Sequence, residues 1–235
     1  MTSEHNHERD QFIEASAVDP ITVDRACPRR VPRVASRRHA TARGHRNEGH
    51  MRIGIIGAAG TGKTSLAKNL SAHLDSAYVP DLVLTVLREL GRDSWRGVSD
   101  VKQRRKVRED GLRRKVSAEK EHESFVSDKT AVDYLAYWLQ NQSEHEDAPT
   151  NNRFLNDCKA AALRYDILVY LPYREVVDFG VGRNQDPIHN LKVAAQKRGL
   201  VTLLKLPVID VEYTFGEDVG EWYLRNLAHL EPPAP

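Results

Sequence analysis

The chain has 235 residues, 40% hydrophobic and 29% charged, enough for one sizeable α/β domain or two small ones and too apolar for a wholly disordered chain. Its formal charge is +2, and all of that excess falls in the first fifty residues, where nine Arg face seven acids. Residues 51–235 hold 26 basic and 26 acidic side chains, a neutral body that argues against a general polynucleotide binder held by phosphate neutralisation.

Cys27 and Cys158 are too few for a disulfide framework, and their spacing matches no metal site. The longest strongly apolar runs, 167–171 and 82–87, fall far short of the roughly 20 residues needed to cross a bilayer. The amino terminus lacks the basic region and apolar core of a secretory signal. A cytoplasmic protein without a membrane span is expected.

From Arg25 to Arg46 there are eight Arg and no acids, with few and small apolar residues and no helical or alternating period. Such a segment buries too little surface to offset the entropy of ordering it, so residues 1–50 read as a disordered, Arg-rich leader. The acids Glu4, Glu8, Asp10 and Glu14 count against a transit peptide. A second reading also stands. Glu48-Gly49 is encoded by a purine-rich GAR-GGN stretch just ahead of the Met51 codon, as a translated ribosome-binding site would be. Residues 1–50 would then be a start-site artefact.

Residues 51–57 (MRIGIIG) form a short apolar run bounded by glycine, as in a buried strand of a parallel sheet. A helix is predicted over 63–74, where Leu66, Leu70 and Leu74 share one face. A short strand at 77–79 and a helix over 81–90, ended by Gly91, come next. Ser99 is predicted to cap a long charged helix reaching about residue 121, whose thin apolar stripe marks it as a solvated face. Polynucleotide contact by that helix is a minor alternative. Residues 124–128 read as a buried strand and 130–142 as a strongly amphipathic helix. A helix over 151–163, a strand over 166–171 and a glycine-bearing segment over 172–190 follow. The chain closes with a helix over 188–206, a strand over 207–211 and a helix over 216–230. Strands alternating with helices predict a three-layer α/β/α domain over 51–235 around a mostly parallel sheet.

Between the first strand and the first helix, Gly57-Ala58-Ala59-Gly60-Thr61-Gly62-Lys63-Thr64 satisfies G-x-x-x-x-G-K-[ST] in full, with Ser65 next. A triphosphate needs a ring of backbone N–H groups, which a glycine-rich turn can point inward, and the positive end of the helix dipole adds to the attraction. Lys63 can reach the β- and γ-phosphates of ATP, and the Thr64 hydroxyl can ligate Mg²⁺. Asp128 ends the third predicted strand. An acid there can hold Mg²⁺ or take the proton of an attacking hydroxyl, or it can merely cap the next helix, a role Thr130 could equally fill. Trp138, Trp222 and Tyr223 read as packing aromatics.

Three stretches carry a family resemblance: residues 51–91, the block from Phe125 to Tyr137 (FVSDKTAVDYLAY), and Tyr165 to Pro172 (YDILVYLP). Together they resemble the AAA-type P-loop proteins grouped with the ribosylnicotinamide kinase domain and, more distantly, deoxynucleoside and thymidylate kinases. The resemblance implies a nucleoside or nucleotide kinase-like P-loop fold and ATP- and Mg²⁺-dependent phosphorylation of a small acceptor. It implies roles for Lys63, Thr64 and Asp128, and makes Asp81, Asp133 and Tyr134 candidates for the acceptor site. Asp133 and Tyr134 equally suit a first helical turn and the core. In the family a lid carries Gly-x-Arg and then Asp-Pro-x-x-Arg. Here Gly180-Val181-Gly182-Arg183 has an extra glycine and Asp186-Pro187-Ile188-His189-Asn190 ends in Asn. Arg183 is thus the one clear lid arginine, with Lys192, Lys197 and Arg198 as substitutes. The thinned lid leaves a second function open, a nucleotide-binding regulator or weak ATPase without acceptor chemistry.

Overall fold

Residues 51–95, 98–174, 186–214 and 216–230 are described by the structure, a computed structural model. The leader expected over 1–50 and the segment bearing Arg183 lie outside them.

Five strands form one sheet: β1 (Arg52–Gly57), β2 (Ala77–Val79), β3 (Phe125–Asp128), β4 (Ile167–Leu171) and β5 (Val208–Asp210). Their order is β2-β3-β1-β4-β5, and every neighbouring pair is parallel. The central strands β1, β3 and β4 are buried almost throughout, which is why they read in the sequence as continuous apolar runs. Alternate residues feed two cores. Ile53, Ile55, Val126 and Val169 pack on one face with Leu66, Leu70 and Trp222 from α1 (Lys63–His73) and α7 (Val219–Asn226). Ile56, Phe125, Leu168 and Tyr170 face the other way. That second face is covered by α2 (Val83–Glu89), α3 (Val101–Lys120), α4 (Ala131–Asn141), α5 (Ala148–Ala162) and α6 (Pro187–Leu203). The result is the expected three-layer α/β/α arrangement.

Several boundaries move for local reasons. Asp100, not Ser99, caps α3, its carboxylate accepting from the Lys102 N–H at 2.9 Å. Helix α5 starts three residues earlier than expected because Asp147 caps it and Pro149 suits its first turn. Asp81 stands outside α2, which begins at Val83. Thr130 caps α4 through a reciprocal box with Asp133, so Asp128 is not needed for that task. Trp138 and Trp222 are core residues, the former stacked on Phe154 at 3.9 Å between ring centroids.

Helix α3 differs most from its expected character. Val107 and Leu112 of the expected apolar stripe are buried, but Arg108, Lys115 and Glu119 are buried beside them. Glu119 accepts hydrogen bonds from the Ser127 and Tyr165 hydroxyls, each at 2.6 Å. Charged side chains thus occupy core positions, each needing specific partners because burial without them is costly.

Candidate active site

With β3 and β4 flanking β1, the carboxyl ends of the central strands meet at the point where the chain departs to both sides of the sheet, the place where open α/β sheets bind ligands. The loop from Gly57 to Thr64 lies there. Gly62 has φ +88°, a left-handed value that a side chain would strain, and a Cβ on it would come within 3.1 Å of the Tyr213 ring. As the residue before α1, Gly62 offers no side-chain cap, which leaves the first-turn N–H groups of Lys63, Thr64 and Ser65 for another acceptor. The Lys63 ammonium donates to the Ala58 carbonyl across the loop, and Thr61 Oγ1 donates to the same oxygen at 3.0 Å. Burial lowers the Lys63 pKa to about 7; Lys197 adds to the shift, while Asp133 and Asp128 oppose it.

Asp128 stands beside β1, in register with Ile55, and is 5% exposed. Its Oδ2 accepts from Thr64 Oγ1 at 2.7 Å and from the Tyr78 hydroxyl at 3.3 Å. Burial, together with the Asp128 charge, pushes the Tyr78 hydroxyl above its ordinary pKa and keeps it a donor. The backbone oxygen of Asp128 accepts from Lys115 Nζ at 2.8 Å, and the same ammonium donates to the carbonyls of Val79 at 2.8 Å and Pro80 at 2.9 Å. One lysine from α3 therefore fastens the carboxyl ends of β2 and β3 and with them the stations of Asp81 and Asp128. Burial lowers the Lys115 pKa to about 8, with Glu119 and Asp81 the main opposing charges.

Asp81 lies on the same edge. It accepts from Lys129 Nζ at 2.7 Å, the Tyr134 hydroxyl at 3.3 Å and the Val83 N–H at 3.0 Å. Burial alone would raise its pKa, but the Lys129 charge and hydrogen bond hold it below the ordinary value. Lys129 reaches Asp81 from a left-handed backbone, φ 65°. Its ammonium also stands 5.2 Å from the Tyr137 ring centroid. The geometry thus joins Lys63, Thr64, Asp81, Asp128 and Tyr134 at one edge.

Asp133 is placed otherwise than an acceptor ligand would be. It is fully buried, with one oxygen taking the Thr130 N–H at 2.8 Å and hydroxyl at 3.1 Å and the other paired with Lys197 Nζ at 2.7 Å. Of the two places the sequence allowed Asp133, it takes the one in the first helical turn and the core, not one facing an acceptor. Lys197 is likewise no lid cation: it is 1% exposed, donates to the Gly57 carbonyl at 2.6 Å, and ties the phosphate loop to α4 through Asp133. Arg198 pairs with Asp210 at 2.7 Å, Lys192 is exposed, and Asp186 caps α6 by accepting from the Ile188 N–H at 2.9 Å. Arg183 lies outside the described residues. Sequence reasoning missed Tyr78 and Lys115. The signal for Lys115 was its spacing from Arg108, Gly111 and Glu119, which puts all four on one helical face.

A strand, a glycine-rich phosphate loop, a helix and an acid on the adjacent strand define a P-loop α/β protein. A family model described as an AAA domain matches residues 52–218, and the chain belongs to that family. No curated protein matches. Among solved structures, the chain is similar to a NadR protein in complex with NR (TM-score 0.59, 11% identity), with 79% of this chain covered and 52% of that one. It is also similar to deoxyadenosine kinase from M. mycoides with products dCMP and dCDP bound (TM-score 0.52, 15% identity), covering 74% of this chain and 97% of that one. At such identities the likeness concerns the fold. Among the described residues, no helix is long and apolar enough to cross a membrane.

Proposed function

We propose that residues 51–235 form a P-loop kinase domain, acting in the cytoplasm, that transfers the γ-phosphoryl group of ATP to a hydroxyl of a nucleoside- or nucleotide-like acceptor, with Mg²⁺. The observation that carries this reading is the 2.7 Å contact between Thr64 Oγ1, at the start of α1, and Asp128, at the end of β3. It puts a hydroxyl and a carboxylate, both hard oxygen donors suited to Mg²⁺, at the mouth of a phosphate loop. Thr64 would ligate the ion and Asp128 would hold it through water; a bound Mg²⁺ would neutralise charge on the β- and γ-phosphates.

The chain's own groups supply the rest. Gly57 to Ser65 cradle the phosphates with backbone N–H groups, and Lys63, held in its charged form by an anion opposite it, turns from the Ala58 carbonyl to the phosphates. Oδ2 of Asp128 is engaged by Thr64 and Tyr78. The second carboxylate oxygen takes the proton of the acceptor's hydroxyl while the hydroxyl oxygen bonds to the γ-phosphorus and the bond from that phosphorus to the bridging oxygen of ADP breaks. Asp81 orients the acceptor, with Tyr134, buried and donating its hydroxyl to Asp81, holding that carboxylate in place, and Arg183 would close over the phosphates.

A second reading, a nucleotide-binding regulator or weak ATPase, is favoured by one observation: Lys197 and Arg198, the sequence's substitutes for lid arginines, are committed to Asp133 and Asp210. Turnover separates the two. The full chain is assayed with ATP, Mg²⁺ and a panel of nucleosides, nucleotides and ribosylated pyridines, with Lys63→Ala as control. ADP formation that depends on an acceptor supports the kinase; acceptor-independent ADP formation, or none, supports the regulator.

A further inference from the structure

Helix α3 carries five arginines, and three have a carboxylate. Arg105 pairs with Glu109 and Glu146, Arg113 with Asp110 and Arg114 with Glu89. Arg104 and Arg108, one turn apart, have none among the described residues, and the Nε of each is buried without a hydrogen-bond partner. Arg108 is only 7% exposed. Its guanidinium stands 4.5 Å from the centroid of the Trp95 ring and interacts electrostatically with Tyr137 and Arg104. Burial lowers its pKa to about 10, with Tyr137 opposing the shift and Arg104 adding to it, so the group stays charged at neutral pH. A buried cation beside a second cation, with no anion paired to it among the described residues, is a costly arrangement for a fold to keep.

The pair sits on the acceptor side of the candidate site. Arg104, Arg108, Gly111 and Lys115 follow one another at spacings of four, three and four, and so share a helical face. Lys115 holds the strand ends beneath Asp81 and Asp128. A Cβ on Gly111 would lie 3.1 Å from the Tyr134 ring, whose hydroxyl donates to Asp81. Arg108 comes next, about 10 Å along the helix axis from Lys115. Tyr137, its neighbour, has its ring 5.2 Å from the Lys129 ammonium that pairs with Asp81.

We infer that Arg104 and Arg108, backed by Trp95, form an oxyanion subsite that receives a phosphate or carboxylate group of the acceptor, at the end remote from the hydroxyl that reacts. Guanidinium groups suit this role because their planar fork binds oxyanions in pairs of hydrogen bonds. That the anion belongs to an acceptor rests on the kinase reading; the anion site itself does not.

The test is calorimetric titration of the full chain with inorganic phosphate and, separately, with acetate. Because the phosphate loop also binds phosphate, Lys63→Ala serves as the background. That variant should keep one phosphate site, which Arg108→Met in the same chain weakens at least tenfold. Phosphate should raise the melting temperature of Lys63→Ala but not of the double variant. Arg108→Met alone, without phosphate, should melt no lower than the unaltered chain, since it removes an unpaired buried charge. Arg108→Lys, which keeps charge without the fork, should fold and bind phosphate several-fold more weakly. Acetate competing for the site supports a carboxylate-bearing acceptor, and phosphate binding alone supports a phosphorylated one. Undiminished phosphate binding in both Arg108 variants, or a marked loss of melting temperature in Arg108→Met, would overturn the inference and make Arg108 a packing residue of Trp95. Absent kinase turnover with intact Arg108-dependent phosphate binding would reject the kinase reading and leave the subsite standing.

Discussion

The two halves of the candidate site are built differently. The phosphate side is one contiguous stretch, Gly57 to Ser65, whose donors are largely backbone N–H groups fixed by the strand-to-helix turn. The other half, where we propose the acceptor binds, is assembled from separate elements: Tyr78 on β2, Asp81 beyond it, Lys115 on α3, Asp128 on β3, Lys129 after it and Tyr134 on α4. A loop of the first kind is held by its own dihedral angles. A site of the second kind needs long side chains to hold separate strands in place, and buried lysines serve that purpose here. Lys197 reaches the first half and Lys115 the second.

The largest effect expected tests whether the two halves meet at one atom. Asp128→Asn should lower turnover about 10²- to 10⁴-fold, the range of general acid-base catalysis, while nucleotide affinity changes little. Initial-rate kinetics beside equilibrium titration measures both, and a mutant at the parental rate would remove Asp128 from the chemistry.

Lys197→Met next probes the dependence of the phosphate half on distant support. Removing the ammonium leaves Asp133 buried and unpaired, for a loss of about 3–5 kcal/mol in urea unfolding. Adding Asp133→Asn should restore part of it. Equal destabilisation in the single and double variants would show that the pair itself contributes little.

The pH dependence of nucleotide binding comes third. Lys63 is charged below about pH 7 and neutral above it in the free protein, whereas a bound phosphate needs the charged form. Affinity should therefore fall by up to about tenfold per pH unit above 7, with close to one proton taken up on binding. Calorimetry in buffers of different ionisation heat reads that proton. The same lowered pKa acts oppositely on the free protein: its cost to stability is full below pH 7 and is relieved as pH rises from 7 toward the ordinary 10.5.

The smallest effect belongs to the backbone of the loop. Gly62→Ala, at φ +88°, should cost about 1–2 kcal/mol in thermal or urea unfolding, since L-residues resist that conformation. A neutral result would mean that the loop relaxes, and the contrast between a self-held and a supported half would weaken.

The sequence by itself determined the alternation of strands and helices, the phosphate loop and the placement of Asp128 at a strand end, because each is a local pattern: an apolar run, a glycine spacing, a residue before a helix. It also marked Trp138 and Trp222 as core. Only the tertiary structure decided which charged residues face inward. Asp133 and Lys197 are 64 residues apart and neutralise each other in the core, while α3, which reads as a solvated charged helix, sends Lys115 to three strand-end carbonyls and Arg108 against Trp95. A lysine's place depends on partners that only folding brings within about 3 Å, and composition or periodicity carries no record of them.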